Sequence, residues 1–207
     1  PLLPPFPPPP PPPSPYVRKV RMTAKLKGLD SHIELISPDH ASIEEFRAQN
    51  PLAKIPILLT EKDGAIYDSH VICEYLDSQV ALPVLFPGDG QARWQMLTRA
   101  AMADGVLDAA LLLIYEGRYR PDEMRVQAWV DMQQAKIDTA VAQLEAAPPE
   151  WGANPDYSHI TIAAALGYLD FRHGGKWRAN NPNMVAWLDK FAEAFPAYGD
   201  TAPPPNA

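Results

Sequence analysis

Asn50-Pro51-Leu52-Ala53-Lys54-Ile55-Pro56-Ile57-Leu58-Leu59-Thr60-Glu61-Lys62-Asp63-Gly64-Ala65-Ile66-Tyr67-Asp68-Ser69 is the stretch on which the fold turns. Ile57 to Thr60 is apolar and β-rich and reads as a strand. Glu61-Lys62-Asp63-Gly64 reads as a hairpin turn, with Gly64 free to take positive φ, and Ala65 to Tyr67 as the return strand. Ser69 has the chemistry to cap a helix running through Val71, Ile72, Tyr75 and Leu76. Pro56 stands at the mouth of the first strand, where it donates no ladder hydrogen bond. A cis Ile55-Pro56 bond would turn the N–H and C=O of Ile55 outward, where an extended peptide could pair with them. Asp68 and Ser69 sit at a helix N-terminus, which favours a carboxylate. A plain hairpin followed by a capped helix is the simpler reading of the same residues.

Upstream, Ser14-Pro15-Tyr16-Val17-Arg18-Lys19-Val20-Arg21 combines an N-cap serine with proline at the first helical position. Val17, Val20, Ala24 and Leu26 form an apolar stripe, and Gly28 stops the helix. Ser14 can act as the cap alone. A hydroxyl at that dipole end can also donate to a thiolate, lowering the thiol pKa and raising the nucleophilic fraction. Tyr16 is a rival hydroxyl. Ser31 to Ile36 alternates like a strand, and Ser42-Ile43-Glu44-Glu45 matches a capping box for a helix to Gln49.

The Asn-Pro-x-x-Lys-Ile-Pro-Ile-Leu run with Asp-Ser and its Ile-x-x-Tyr-Leu helix resembles the glutathione-binding half of the glutathione S-transferase family. Ser-Pro-Tyr-x-Arg-Lys-Val resembles the opening of its serine-type bacterial members, where omega-type relatives carry Cys. Ala164-Leu166-Gly167-Tyr168-Leu169-Asp170-Phe171-Arg172 is similar to the core helix of the bacterial members. The resemblance covers about residues 14–200. It implies an α/β thioredoxin-like domain over 1–80, a linker over 81–90 rich in Pro and Gly, and an all-α helical bundle over 91–207. It implies Ser14 as the catalytic hydroxyl. It implies glutathione, as co-substrate, held by Ile55, Pro56, Asp68 and Ser69. Lys54 and His40 are candidates for its glycyl carboxylate. Asp68 departs from the commoner Glu by one methylene. Tyr115, Arg118 and Tyr119, near the end of a long helix, are candidates for the second, electrophilic substrate, and Asp104 for reaching the glutathione of a partner subunit in a homodimer. The implied reaction is conjugation of the thiolate to small, mostly apolar electrophiles. A glutathione-dependent isomerase or peroxidase, and a binding or regulatory module without chemistry, are the alternatives.

Ten of the first thirteen residues are proline. Such a run favours polyproline II and cannot serve as a central strand. The resemblance nevertheless implies a central strand there, so the expectation is an extended backbone beside Ile57–Thr60.

The second half reads as helices. One runs from Gln91 to about Arg118, with Gly105 as a place for a bend or close packing. The next starts at Pro121 and runs to about Ala146. A third is capped by Ser158, with Tyr157 and Ile162 as a hydrophobic staple, and ends at Gly174-Gly175. The last opens at Pro182, and Thr201 to Ala207 reads as a frayed tail.

A formal net charge of −7 and the absence of a Lys/Arg block argue against nucleic acid. No apolar run spans a bilayer, and no charged-then-apolar leader is seen. The single cysteine, Cys73, points to a reduced, cytoplasmic setting and to burial rather than reactivity. The scattered histidines imply no metal site.

Overall fold

The computed structural model describes residues 14–36 and 42–204. In chain order it has α1 (Pro15–Leu26), α2 (Ile43–Gln49), β1 (Leu58–Thr60), β2 (Gly64–Ile66), α3 (Ser69–Gln79), α4 (Gly90–Tyr119), α5 (Gln127–Ala146), α6 (Tyr157–His173), α7 (Pro182–Ala194) and α8 (Ala197–Asp200). A small half with the hairpin precedes a helical half, as the sequence predicts.

β1 and β2 pair antiparallel, Leu58 opposite Ile66, Leu59 opposite Ala65 and Thr60 opposite Gly64. Thr60 closes the turn: its Oγ1 accepts from the Asp63 N–H at 2.9 Å and donates to the Gly64 carbonyl at 3.1 Å. Gly64 takes φ +73°, the conformation only glycine adopts without strain. α2 begins in a complete capping box between Ser42 and Glu45.

The expected strand over Ser31–Ile36 is not formed among the described residues. Asp30–His32 is a 3-10 turn, and the chain leaves it extended but unpaired, with Leu35 and Ile36 exposed. A strand exists only with a neighbour. The one implied by the resemblance falls on residues 1–13, outside the described residues, as does the expectation for that segment. Its ten prolines carry no amide donor for a ladder.

Other starts move too. Asp68 caps α3, its carboxylate accepting from the His70 N–H at 3.0 Å, and Ser69 is the first helical residue. Pro121 leads into a 3-10 turn over Asp122–Met124, and α5 starts at Gln127. Asp156, not Ser158, caps α6 and forms a box with His159. Thr161, on the box position counted from Ser158, donates instead to the Tyr157 carbonyl at 2.9 Å. Gly105 is exposed and a Cβ there would touch nothing, so it marks no close packing. Thr201 is no frayed residue: it is buried and its hydroxyl donates to the Ala197 carbonyl at 2.7 Å.

α6 is the centre. Tyr157 through Leu169 are all buried, so the helix is surrounded on every side. α4 lays Ala103, Val106, Leu107 and Ala110 against Ile162, Ala163 and Leu166 in one core, closed by Trp187 and Phe191 of α7. A second cluster joins the halves: Met22 of α1 and Cys73 of α3 pack with Leu85, Phe86, Met96, Tyr157 and Ile160. Asp77 fastens the connection between α3 and α4. It accepts from the N–H groups of Leu85 and Phe86, both at 3.0 Å, and pairs with the buried Lys27 at 2.8 Å.

Burial works to raise the Asp156 pKa. The His159 ring, the Ser158 hydroxyl and Arg99 outweigh it and hold the carboxylate down to about 2, below the ordinary 3.8. A depressed carboxylate stabilises the fold fully above the ordinary value and loses that contribution as pH falls through about 2. Asp156→Asn is therefore expected to cost about 2 kcal/mol at neutral pH. It should also flatten the loss of stability between roughly pH 4 and 2, read as urea midpoints across pH. An unchanged pH profile in the variant would remove Asp156 from this role.

Candidate functional site

Ser14 caps α1 in extended backbone conformation, and the Val17 N–H reaches its Oγ at 3.4 Å. The oxygen accepts from the helix, and among the described residues its proton meets no acceptor, so the hydroxyl can donate to a ligand. Tyr16, the rival, is committed elsewhere. Its hydroxyl donates to the Asp108 carboxylate of α4. Burial, then Asp108, push its pKa far above the ordinary tyrosine value. α1 thus presents one uncommitted hydroxyl at its start and uses the other to bind the second half.

The Ile55–Pro56 bond is cis, Ile55 is half-buried and Pro56 buried. Among the described residues the Ile55 N–H and C=O have no backbone partner. The loop before it hangs on Asn50, a residue to which the sequence pattern assigned no role. Asn50 is buried, its side-chain amide donates to the Lys54 carbonyl at 2.9 Å, and its Oδ1 accepts from the Leu52 N–H at 3.0 Å. Its own carbonyl accepts from Ala53, which sits at φ +50°. Asn before Pro at the start of a tight loop was the available signal, since Asn bonds its own backbone two residues on. Lys54 is exposed, and His40 lies outside the described residues.

At the other end of the hairpin, Asp68 is exposed and Ser69 is buried at the α3 N-terminus. The Tyr67–Asp68 bond is also cis. His70 follows, its ring edge-on to Phe86 at 5.7 Å and to Tyr157 at 5.1 Å.

Beneath these groups lies a buried charge that sequence reasoning missed. Lys19 of α1 is 1% exposed. Its ammonium pairs with Asp104 of α4 and donates to the Tyr157 hydroxyl of α6 at 3.2 Å. The rings of Tyr16 and Tyr157 stand 5.4 Å and 5.7 Å from the same nitrogen. Asp104 is therefore engaged within its own chain, by Lys19. Burial raises the Asp104 pKa and Lys19 opposes the rise. Cys73 lies against this group and is fully buried. Burial pushes its thiol up to about 12, so at neutral pH it is protonated and a poor nucleophile.

Tyr115, Arg118 and Tyr119 come together on the exposed last turns of α4. The two rings meet edge-to-face at 5.4 Å, and the Arg118 guanidinium is 5.9 Å from the Tyr115 ring. Among the described residues no cluster of three or more His, Cys, Asp or Glu could hold a metal, and no helix is long and apolar enough to cross a membrane.

Family models for the N-terminal and the C-terminal domains of glutathione S-transferase match residues 13–79 and 127–190. The uncharacterized GST-like protein YibF of Escherichia coli K12 is 30% identical over 195 residues, 92% of this chain and 95% of that one. A glutathione transferase family member from Pseudomonas fluorescens Pf-5, solved with bound glutathione, is 40% identical with a TM-score of 0.84, over 93% of this chain and 96% of that one. A second structure from that organism, with bound S-(propanoic acid)-glutathione, is 39% identical with a TM-score of 0.79 over the same shares. The chain belongs to the glutathione S-transferase family.

Lys19→Met is expected to destabilise the protein by about 3 kcal/mol, because Asp104 is left without its partner. Lys19→Met with Asp104→Leu should regain most of that. Urea unfolding of both variants checks it, and a double variant no better than the single one would count against the pairing.

Proposed function

We propose that this member of the glutathione S-transferase family binds glutathione and conjugates its thiolate to small, mostly apolar electrophiles. The observation that carries the reading is Ser14: a half-buried cap hydroxyl whose proton is uncommitted among the described residues, while Tyr16 is spent on Asp108. The tripeptide lies across the open backbone of Ile55, its γ-glutamyl end at Asp68 and Ser69, its glycyl carboxylate near Lys54. Its sulfur faces Ser14 and the α1 N-terminus, which together favour the thiolate. The thiolate attacks an electrophilic carbon held between the halves near Tyr115, Arg118 and Tyr119. Closeness and thiolate stabilisation supply the rate enhancement. The glutathione in the Pseudomonas relative supports the first site. The S-(propanoic acid)-glutathione in its companion favours acid-bearing electrophiles as a second reading of the substrate.

In this reading residues 1–80 are the glutathione domain, 81–90 the linker and 91–207 the helical domain. The protein works as a cytoplasmic homodimer. Isomerisation or peroxide reduction on the same thiolate is separated from conjugation by product analysis. A binding module without chemistry is separated by calorimetry, since it would show turnover of nothing and no glutathione binding at millimolar ligand.

Ser14→Ala is expected to lower kcat for glutathione with a chlorinated aromatic by about 10- to 100-fold, the worth of one hydrogen bond to a charged group. The bound thiol pKa, followed by thiolate absorbance, should rise by about one to two units. Turnover equal to wild type would take Ser14 out of the mechanism.

Asn50→Ala is expected to raise the glutathione KM several-fold with kcat nearly unchanged, because it frees the loop that carries Ile55 without touching the reacting sulfur. A fall in kcat alone would contradict that role.

A further inference from the structure

Behind Ser14 is a small cavity of about 20 Å³, walled by Arg18 and Arg21 of α1, Gly167, Tyr168 and Phe171 of α6, and the chain after α8. Its volume is that of one or two water-sized groups. Ser14, Arg18 and Arg21 stand at i, i+4 and i+7, so they share one face of α1.

Arg18 is 7% exposed. One terminal nitrogen donates to the Tyr198 carbonyl at 2.8 Å and the guanidinium lies 4.1 Å over the Tyr198 ring. Its Nε is buried with no hydrogen-bond partner among the described residues. A donor left so costs about 1–3 kcal/mol. Gly167 is what lets the guanidinium in: a Cβ there would stand 2.3 Å from Arg18 Nη1.

Arg21 is half-buried, and among the described residues it makes no salt bridge or hydrogen bond. The acids nearby are taken. Asp170 is held by Trp177 at 2.9 Å and by Arg178 at 2.8 and 2.7 Å. Asp200 pairs with Lys25 at 3.2 Å. Burial lowers the Arg21 pKa, Arg18 lowers it further by repulsion, and Asp200 opposes the fall. Two guanidinium groups are thus brought together with no carboxylate bonded to either among the described residues, Asp170 and Asp200 acting on them only from a distance. A planar two-oxygen anion matches guanidinium donors, and the space suits a carboxylate better than a tetrahedral oxyanion.

We propose that the cavity between Arg18, Arg21 and Ser14 is a carboxylate subsite for the second substrate, so that the electrophiles turned over include short-chain acids. This rests on the conjugation reading and names a substrate class for it. With an α,β-unsaturated acid, the carboxylate seats on Arg21 and the Arg18 Nε–H. The thiolate forms a C–S bond to the β-carbon, the π pair moves to the α-carbon, and water supplies a proton there. The thiol proton has gone to solvent, and nothing else leaves.

The test is calorimetry on wild type and Arg21→Met with four ligands: glutathione, S-propylglutathione, S-(2-carboxyethyl)glutathione and propionate. The two adducts differ by a methyl against a carboxylate. The carboxylate adduct is expected to bind wild type at least tenfold more tightly than the propyl adduct, and to lose that advantage in Arg21→Met. Glutathione affinity and the thermal midpoint report the fold of the variant separately. Equal affinity of the two adducts for wild type overturns the proposal, and so does an advantage that survives in Arg21→Met. If glutathione and both adducts fail to bind, the conjugation reading falls and propionate decides the subsite: binding lost in Arg21→Met supports an anion site, and no binding overturns it. Inorganic phosphate bound as tightly as propionate overturns the assignment to carboxylates.

Discussion

The Lys19 ammonium is the constraint from which the rest follows. A lysine with 1% of its surface exposed has given up its water, and among the described residues Asp104, the Tyr157 hydroxyl and two aromatic faces replace it. Asp104 and Tyr157 come from α4 and α6 of the helical half, whereas Lys19 and Tyr16 are in α1. The charge can be satisfied only when the two halves are docked. Once docked, the start of α1 and the start of α3 are set on either side of the same seam. Tyr16 and Asp108 add a second tie along it, and the apolar cluster around Met22, Met96 and Ile160 fills what lies between. The seam is thus both the interface of two domains and the floor of the candidate site.

Sequence patterns reached the local parts of this arrangement. Gly64 with its turn, the Ser42–Glu45 box, the Ser14-Pro15 start and the Gly174 stop are each decided within a few residues, so a local pattern suffices. The misplaced helix starts were also local. Asp156 and Ser158, or Asp68 and Ser69, are all good caps, and composition does not say which of two neighbours takes the job. The structure chooses by surroundings: Asp156 also receives Arg99 from α4 at 3.0 Å. Lys19 was illegible for a different reason. Its partners are 85 and 138 residues away in the chain. On a helical wheel it is one more cation of a basic helix.

Strand pairing shows the same limit from the other side. The alternation over Ser31–Ile36 is real, yet alternation is a capacity and not a contact. Leu58 and Ile66 became strand because a short turn brought them together. Ile33 packs beside them without joining the ladder. Of the candidate site, the Ser14, Ile55 and Asp68–Ser69 positions were legible, since each sits at an element boundary marked by Ser, Pro or Asp. Asn50 and Arg18 were less so, because their importance lies in which atoms they leave satisfied.

The sealing of Cys73 has a practical side. With the single thiol of these 207 residues buried and protonated, this stretch of chain is already a background on which a single introduced cysteine would be the accessible target for a maleimide dye. A pair of such labels, one beside the α1 start and one on the exposed end of α4, would report the spacing of the halves by energy transfer, with no wild-type residue needing removal first.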